Sequence, residues 1–361
     1  MGHAARVPRA KDSTVNDWNI LGHEFAIQAL TSSIESNRMA HAYLLTGVHA
    51  IGKTTLARVL AQTLQCTGPN PPCGKCNACQ KISHDRHPDV RVIEGVPVGF
   101  KFDDKNPQPI PPRANDREKR TLKIDQIRAL QHDLSLSPFE GKYKIAIVRR
   151  FEEANDEAAN AFLKTLEEPP SYVVIILTAR DASLLLPTII SRCQTIALRP
   201  VPIEMVERAL VERWDVNADS ARLLARVSAG QLGLAVRASA DPSLLAARNA
   251  HLEELLANLR EGRAERLSRA EKLGSDGEEL QALLEEWLGW WRDVLLVQNG
   301  DGARVTNVDR GEILREHAEK FSLEEIHHAL KAVRATAQYL TQNVNAKLAM
   351  GNLMLELPGK N

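Results

Sequence analysis

The stretch Ala42–Leu64, AYLLTGVHAIGKTTLARVLAQTL, decides the fold. It opens on a short apolar run, AYLLT, of the length of a buried strand. Gly47 follows, then four residues, then Gly52-Lys53-Thr54, which satisfies G-x-x-x-x-G-K-[ST] in full. KTTLARVLAQTL then carries apolar residues at helical spacing. A strand, a glycine-bounded turn and a helix in that order present backbone N–H groups at a helix N-terminus, where they cradle phosphate. Lys53 would reach the terminal phosphates and the Thr54 hydroxyl would ligate Mg2+, with Thr55 beside it. The flanking strand and helix make a chance glycine turn a poor explanation. The chain is read as an α/β P-loop NTPase fold in which nucleotide binding is expected and hydrolysis is a separate question.

Working outward, PDVRVIEG, KIAIV and YVVIILTA read as strands. GHEFAIQALTSSIESN reads as a helix with Phe25, Ile27, Leu30 and Ile34 on or near one face. KIDQIRALQHDLSL and NDEAANAFLKTLEE are helices, the second closed by Pro169 and Pro170. This alternation over 20–198 argues a parallel sheet covered on both faces. After a hinge at ALRPVP the pattern is helical only. Residues 1–17 are polar and expected to fray, and 97–119, dense in proline and charge, is expected to be a mobile loop.

The 361 residues suit two or three domains. With 46 basic and 46 acidic residues, net charge gives no hint of nucleic-acid binding. No apolar run approaches the roughly 20 residues needed to span a bilayer. The N-terminus has no signal-peptide core, and Arg6 stands where a myristoylation signal needs Ser or Thr. A cytoplasmic protein is expected, and the cysteines agree. Cys66, Cys73, Cys76 and Cys79 are spaced C-x6-C-x2-C-x2-C among Pro71, Pro72 and Gly74. Four thiolates on turns suit a closed, structural tetrahedral Zn2+ site. An iron–sulfur cluster is the alternative, and free reduced thiols the plain one. His84 and His87 read as surface or packing histidines.

KIAIV raises the question of hydrolysis. In many nucleotide-hydrolysing proteins such a strand ends in the acids that hold magnesium and prepare the attacking water. Here it ends in Arg149 and Arg150. Farther on, EELQALLEEWLGWWRDVLLVQ carries Trp287, Trp290 and Trp291. They read as a core or subunit-contact face, since no basic cluster surrounds them to make a base-stacking platform. Ser322 with Glu325 three residues on marks a helix start.

Taken together, AHAYLLTGVHAIGKTTLARVLAQTLQC, the cysteines, HPDV, KIDQIRAL, EAANAFLKTLEEPP, LLLPTIISRCQ and QNVNAKLAMGNLMLELP resemble the delta-prime family of bacterial DNA polymerase III clamp-loader subunits. The resemblance runs from about residue 20 to 358. The related gamma/tau subunits share the TLEEPP and Ser191-Arg192-Cys193 pieces. It implies an AAA+ nucleotide-binding domain with the zinc module over 1–200, a helical lid over 201–241 and a helical collar over 242–361. It implies assembly with gamma/tau and delta subunits into a part of the DNA polymerase holoenzyme, which loads the sliding clamp on primer–template DNA. Arg192 would then point in trans into a neighbour's ATP site, against the plain reading of an arginine paired with a local carboxylate. Cys193 reads as a small buried residue.

Two features depart from the hydrolysing relatives. Counting back from NDEAANAFLK puts Arg149 and Arg150 at the positions of the family's Asp-Glu. Glu152 and Glu153, about 10 Å farther along an extended chain, are expected to be too distant to substitute. Gly233 falls where the lid carries a sensor arginine, while Thr178 matches the other sensor position or is a plain strand-end threonine. The expectation is a subunit that binds ATP or ADP without efficient turnover, with Mg2+ lacking its acidic ligands and an arginine replacing part of its charge. Two alternatives stand beside it, an active gamma/tau-type ATPase and an unrelated zinc-bearing P-loop kinase.

Overall fold

In the computed structural model of this chain, residues 18–100, 110–111, 113, 118–273, 277–341 and 344–359 are described. The first half runs α1 (Glu24–Glu35), β1 (Ala42–Thr46), α2 (Lys53–Gln65), α3 (Asn77–Ser83), β2 (Val90–Ile93), β3 (Val96–Pro97) and β4 (Arg120–Thr121). It continues with α4 (Ile124–Ser135), β5 (Lys144–Val148), α5 (Asp156–Glu167), β6 (Val173–Ala179), α6 (Pro187–Ile190) and β7 (Gln194–Ala197). Five strands form a parallel sheet in the order β2-β5-β6-β1-β7.

Side chains alternate across a strand, so each central strand feeds two cores. Tyr43 and Leu45 of β1, Ile145 and Ile147 of β5 and Ile176 of β6 pack on one face with Leu56, Leu60 and Leu64 of α2. Leu44, Ala146, Val148, Ile175 and Leu177 pack on the other with Ile127 and Leu130 of α4 and Phe162 and Leu166 of α5. The α5 helix starts where Asn155 accepts the Ala158 N–H at 2.9 Å. On α1, Ile27 and Leu30 are buried as expected, but Phe25 is 79% exposed. Two residues are about 200° apart on a helix, so Phe25 and Ile27 cannot share a face.

Residues 1–17 and most of the predicted mobile loop 97–119 lie outside the described residues. The described ends of that loop are anchored. The β3 strand pairs antiparallel with β4. Arg113 donates to both carboxylate oxygens of Glu153 at 2.7 Å, and the buried Arg120 side chain donates to Pro111 O at 2.9 Å and Glu118 at 3.1 Å.

Asp89, fully buried before β2, accepts the N–H groups of Phe139, Glu140 and Gly141 at 2.7–2.8 Å. Burial alone would raise its pKa, but these three donors and Lys144 outweigh it and hold the carboxyl below its usual range. Asp89→Ala leaves three N–H groups without partners and should cost about 3 kcal/mol in denaturant unfolding. The carboxylate's stabilisation is present above the unfolded pKa and lost as pH falls through the lower folded one, so the wild-type–mutant gap should close in acid.

After Leu198 the chain is helical: α7 (Ile203–Trp214), α8 (Ala218–Val227), α9 (Leu232–Ala240), α10 (Ser243–Arg260), α11 (Arg263–Lys272), α12 (Gly277–Gln298), α13 (Gly311–Lys320), α14 (Leu323–Thr341) and α15 (Ala346–Glu356). The chain divides into two compact units, with the break between Val201 and Pro202. The second is built around α12, which packs on α10, α13 and α14. Trp287, Trp290 and Trp291 have no exposed surface and sit in this core, so they offer no platform for bases. Ser322 and Glu325 form the expected reciprocal cap of α14.

Candidate functional site

The sheet order sets β5, β6 and β1 side by side. Leu45 and Thr46 of β1 pair with Thr178 and Ala179 of β6, and Val148 of β5 pairs with Leu177. The C-terminal ends of these strands therefore deliver Gly47, Thr178 and Arg149 to one edge, where ligands of open α/β sheets bind. Gly47 takes φ 145°, and a Cβ there would lie 2.7 Å from the Leu198 carbonyl oxygen, so only glycine fits. Gly52, also left-handed, caps α2. Lys53 Nζ donates to the carbonyls of Gly47 at 2.6 Å and Val48 at 2.8 Å, folding back over its own loop. Thr54 and Thr55 occupy the first turn of α2, Thr54 half-buried and Thr55 exposed.

The two arginines diverge. Arg149 continues the ladder, its N–H bonding Ile93 O at 2.8 Å, and its guanidinium pairs with Glu94 at 2.9 Å beside β2. Arg150 takes a left-handed conformation with φ 52°. Its N–H donates to Thr178 Oγ1 at 3.0 Å, and its guanidinium bonds His49 of the phosphate loop. Thr178, 2% exposed, is thus engaged by the backbone of Arg150.

A short 3-10 turn, Phe151–Glu153, follows Arg150. The chain folds back there, so the extended rise on which Glu152 is expected to be too distant does not apply. Glu152 is 8% exposed, and its Oε1 accepts the Arg180 N–H at 3.2 Å. The Arg180 carbonyl in turn accepts the Gly47 N–H at 3.2 Å, so one residue separates Glu152 from the phosphate loop. Glu153 turns away to Arg113. Burial pushes Lys53 down to about 8; Glu152 opposes the shift, and Arg150 and Arg180 add to it. His49 and Arg180 carry no sequence signal that marks them, and Glu152 is weighed from the sequence only as an acid too distant to serve. A left-handed turn at a non-glycine residue leaves no signal in composition or periodicity.

Arg192 follows α6 on the surface. Its Nη2 donates to Glu167 Oε1 at 2.5 Å and its Nη1 to Thr188 O at 2.8 Å. The local carboxylate weighed against a role in trans is thus present, at the end of α5. Cys193 is half-buried against the sheet core, and burial pushes its thiol up to about 11. Gly233 lies in the first turn of α9 in the second unit.

The Sγ atoms of Cys66, Cys73, Cys76 and Cys79 all lie within 4.8 Å of one another. Four sulfurs tetrahedrally bound at about 2.3 Å stand somewhat under 4 Å apart, so modest closure suffices to hold a metal. Backbone N–H groups of Gly68 and Cys73 donate to Cys66 Sγ at 3.3 and 3.4 Å, and that of Cys76 to Cys73 Sγ at 3.3 Å. Such donors stabilise thiolate charge. A Cβ on Gly68 would fall 2.8 Å from Cys73 Sγ. Burial opposes ionisation of Cys76, but the Cys79 and Thr67 donors prevail and hold it at about 6, whereas burial pushes Cys79 up to about 12. His84 is exposed, and the buried His87 accepts the Asp89 N–H on Nδ1 and faces Glu140 with Nε2, so neither joins the cluster.

Residues 22–202 match the family model for the DNA polymerase III delta subunit, and 242–358 the model for that subunit's C-terminal part. DNA polymerase III subunit delta-prime of Bacillus subtilis is 30% identical over 336 residues, covering 92% of this chain and 94% of its own. DNA polymerase III subunit tau of Escherichia coli is 32% identical over 221 residues, covering 59% of this chain but only 31% of its own. A DNA polymerase III gamma-subunit-related protein from Thermotoga maritima superposes with a TM-score of 0.45 at 20% identity, covering 90% of this chain and 97% of its own. No helix among the described residues is long and apolar enough to cross a membrane. The family model matched over half of the chain and the 30% identity to a delta-prime subunit along nearly the whole of both chains show the family, and the chain belongs to the delta-prime family of DNA polymerase III clamp-loader subunits.

Proposed function

We propose that this chain holds ATP or ADP without turning it over efficiently, and lends Arg192 to the ATP site of a neighbouring gamma/tau subunit. The observation that carries the first half is Arg150. It stands where hydrolysing relatives are expected to keep a metal-binding acid, and it is bonded to the phosphate loop itself. Arg150 and Arg180 act on Lys53 of the loop, opposed by Glu152, and no pH in the physiological range removes the arginines' charge. Thr54 would remain as a magnesium ligand without a carboxylate from β5. Zn2+ would be held by Cys66, Cys73, Cys76 and Cys79 as a structural ion. With a lid over 201–241 and a collar over 242–361, the subunit would join gamma/tau and delta and reach the clamp and primer–template DNA through the assembly.

Equilibrium binding of labelled ATP and ADP, with Mg2+ and with EDTA, tests the nucleotide half. Binding should persist in EDTA. Affinity should be flat below pH 8 and fall up to about tenfold per unit above it, because the free protein then sheds the Lys53 proton that phosphate requires. The same depression means that charged Lys53 costs folding stability below pH 8, and that this cost is relieved as pH rises from 8 toward the unfolded value. Strict dependence on Mg2+ would remove Arg150 from the role. Steady turnover by the isolated chain would favour the active-ATPase reading, which the nearness of the Glu152 carboxylate to the loop supports.

A further inference from the structure

We propose that Glu167 is a holding residue for Arg192, keeping its guanidinium on this subunit's own surface until a neighbour's phosphate competes for it. The inference deepens the trans role of Arg192 and rests on it. Both arms of the guanidinium fork are occupied within the chain, Nη2 by Glu167 Oε1 at 2.5 Å and Nη1 by Thr188 O at 2.8 Å. The pair joins α5 to α6, which pack together. Glu167 is the last residue of α5, where the helix's unpaired carbonyls already concentrate negative charge. A carboxylate there is favourable only with a cation beside it, and Arg192 is that cation. The two side chains are 49% and 31% exposed, so the bond can be exchanged without opening the core. An exposed pair of this kind shifts the balance between held and released arginine by at most about fivefold. A polyphosphate, carrying more charge than one carboxylate and accepting both arms of the fork, displaces it.

The test is the single-turnover ATPase of the clamp loader reconstituted with its gamma/tau and delta subunits, measured without clamp or DNA. Glu167→Gln should raise the basal single-turnover rate at the served site about two- to fivefold with the half-saturating ATP concentration little changed, because an arginine acting on the transferring group works in the transition state. Glu167→Asp, which keeps the charge, should stay within about twofold of wild type. In the Arg192→Ala background Glu167→Gln should do nothing, which a merely structural role for Glu167 would not produce. Size-exclusion chromatography confirms equal assembly of each variant. If Arg192→Ala lowers turnover but Glu167→Gln leaves it unchanged, lowers it, or still acts without Arg192, holding is overturned while the trans role stands. If Arg192→Ala itself changes nothing, the trans role falls, and the holding role with it.

Discussion

A clamp loader rebuilt with Arg192→Ala should hydrolyse ATP roughly a thousandfold more slowly at the one site this residue serves, with nucleotide affinity there changed far less. A guanidinium offers a planar fork that stays charged and matches the oxygens of a transferring phosphoryl group. Arg192 lies on the surface just after α6, and its present partners are a carboxylate and a carbonyl that a phosphate outcompetes. Arg192→Lys keeps the charge but loses the fork, and should recover only a small part of the rate. Single-turnover measurements are needed, because the remaining sites of the assembly mask the loss of one in a steady-state assay. Full single-turnover rates at every site in the Arg192→Ala loader would end the proposal.

Removing the metal should have the other large effect. Purified chain should carry about one zinc ion, and structural zinc sites of this donor type contribute on the order of 10 kcal/mol of apparent binding free energy. Cys79→Ser, or a strong chelator, should release it and strip hydrogen-exchange protection from 66–83. The main sheet should keep its protection, because its central strands are held by their own ladders, while the module adds to that core only through Ile82 and joins α2 by the bond of Gln62 Nε2 to Cys79 O at 2.9 Å. Visible absorbance would instead mark iron–sulfur. Metal-free protein with full protection over 66–83 would show that thiols and hydrogen bonds suffice.

Much of this was legible in the chain. The phosphate loop, each strand and helix and the four cysteines are local patterns, each confined to a few dozen residues or fewer, and each recurs in the fold. Trp287, Trp290 and Trp291 fell into the helical core because their spacing already followed an apolar face. Where reading failed, it failed through geometry. Glu152 was set aside on the rise of an extended strand, yet the left-handed turn at Arg150 brings it back beside the loop. Phe25 is read as on or near the face of Ile27, yet two positions along a helix turn it to the opposite side, where it is exposed.

By itself the sequence determined which chemistry is present: a loop for phosphate, two arginines at the end of a buried strand, thiols at metal spacing, and an arginine in the Ser191-Arg192-Cys193 stretch. Side-chain identity settles charge, donor type and periodicity without reference to distant residues. Only the tertiary structure decided what those groups face. Arg150 meets His49 across 101 positions of chain, and Arg192 meets Glu167 across 25. Such partners follow from strand order and from turns at single residues. A periodic pattern does not encode those turns, whose energies are small beside the burial that fixes the sheet.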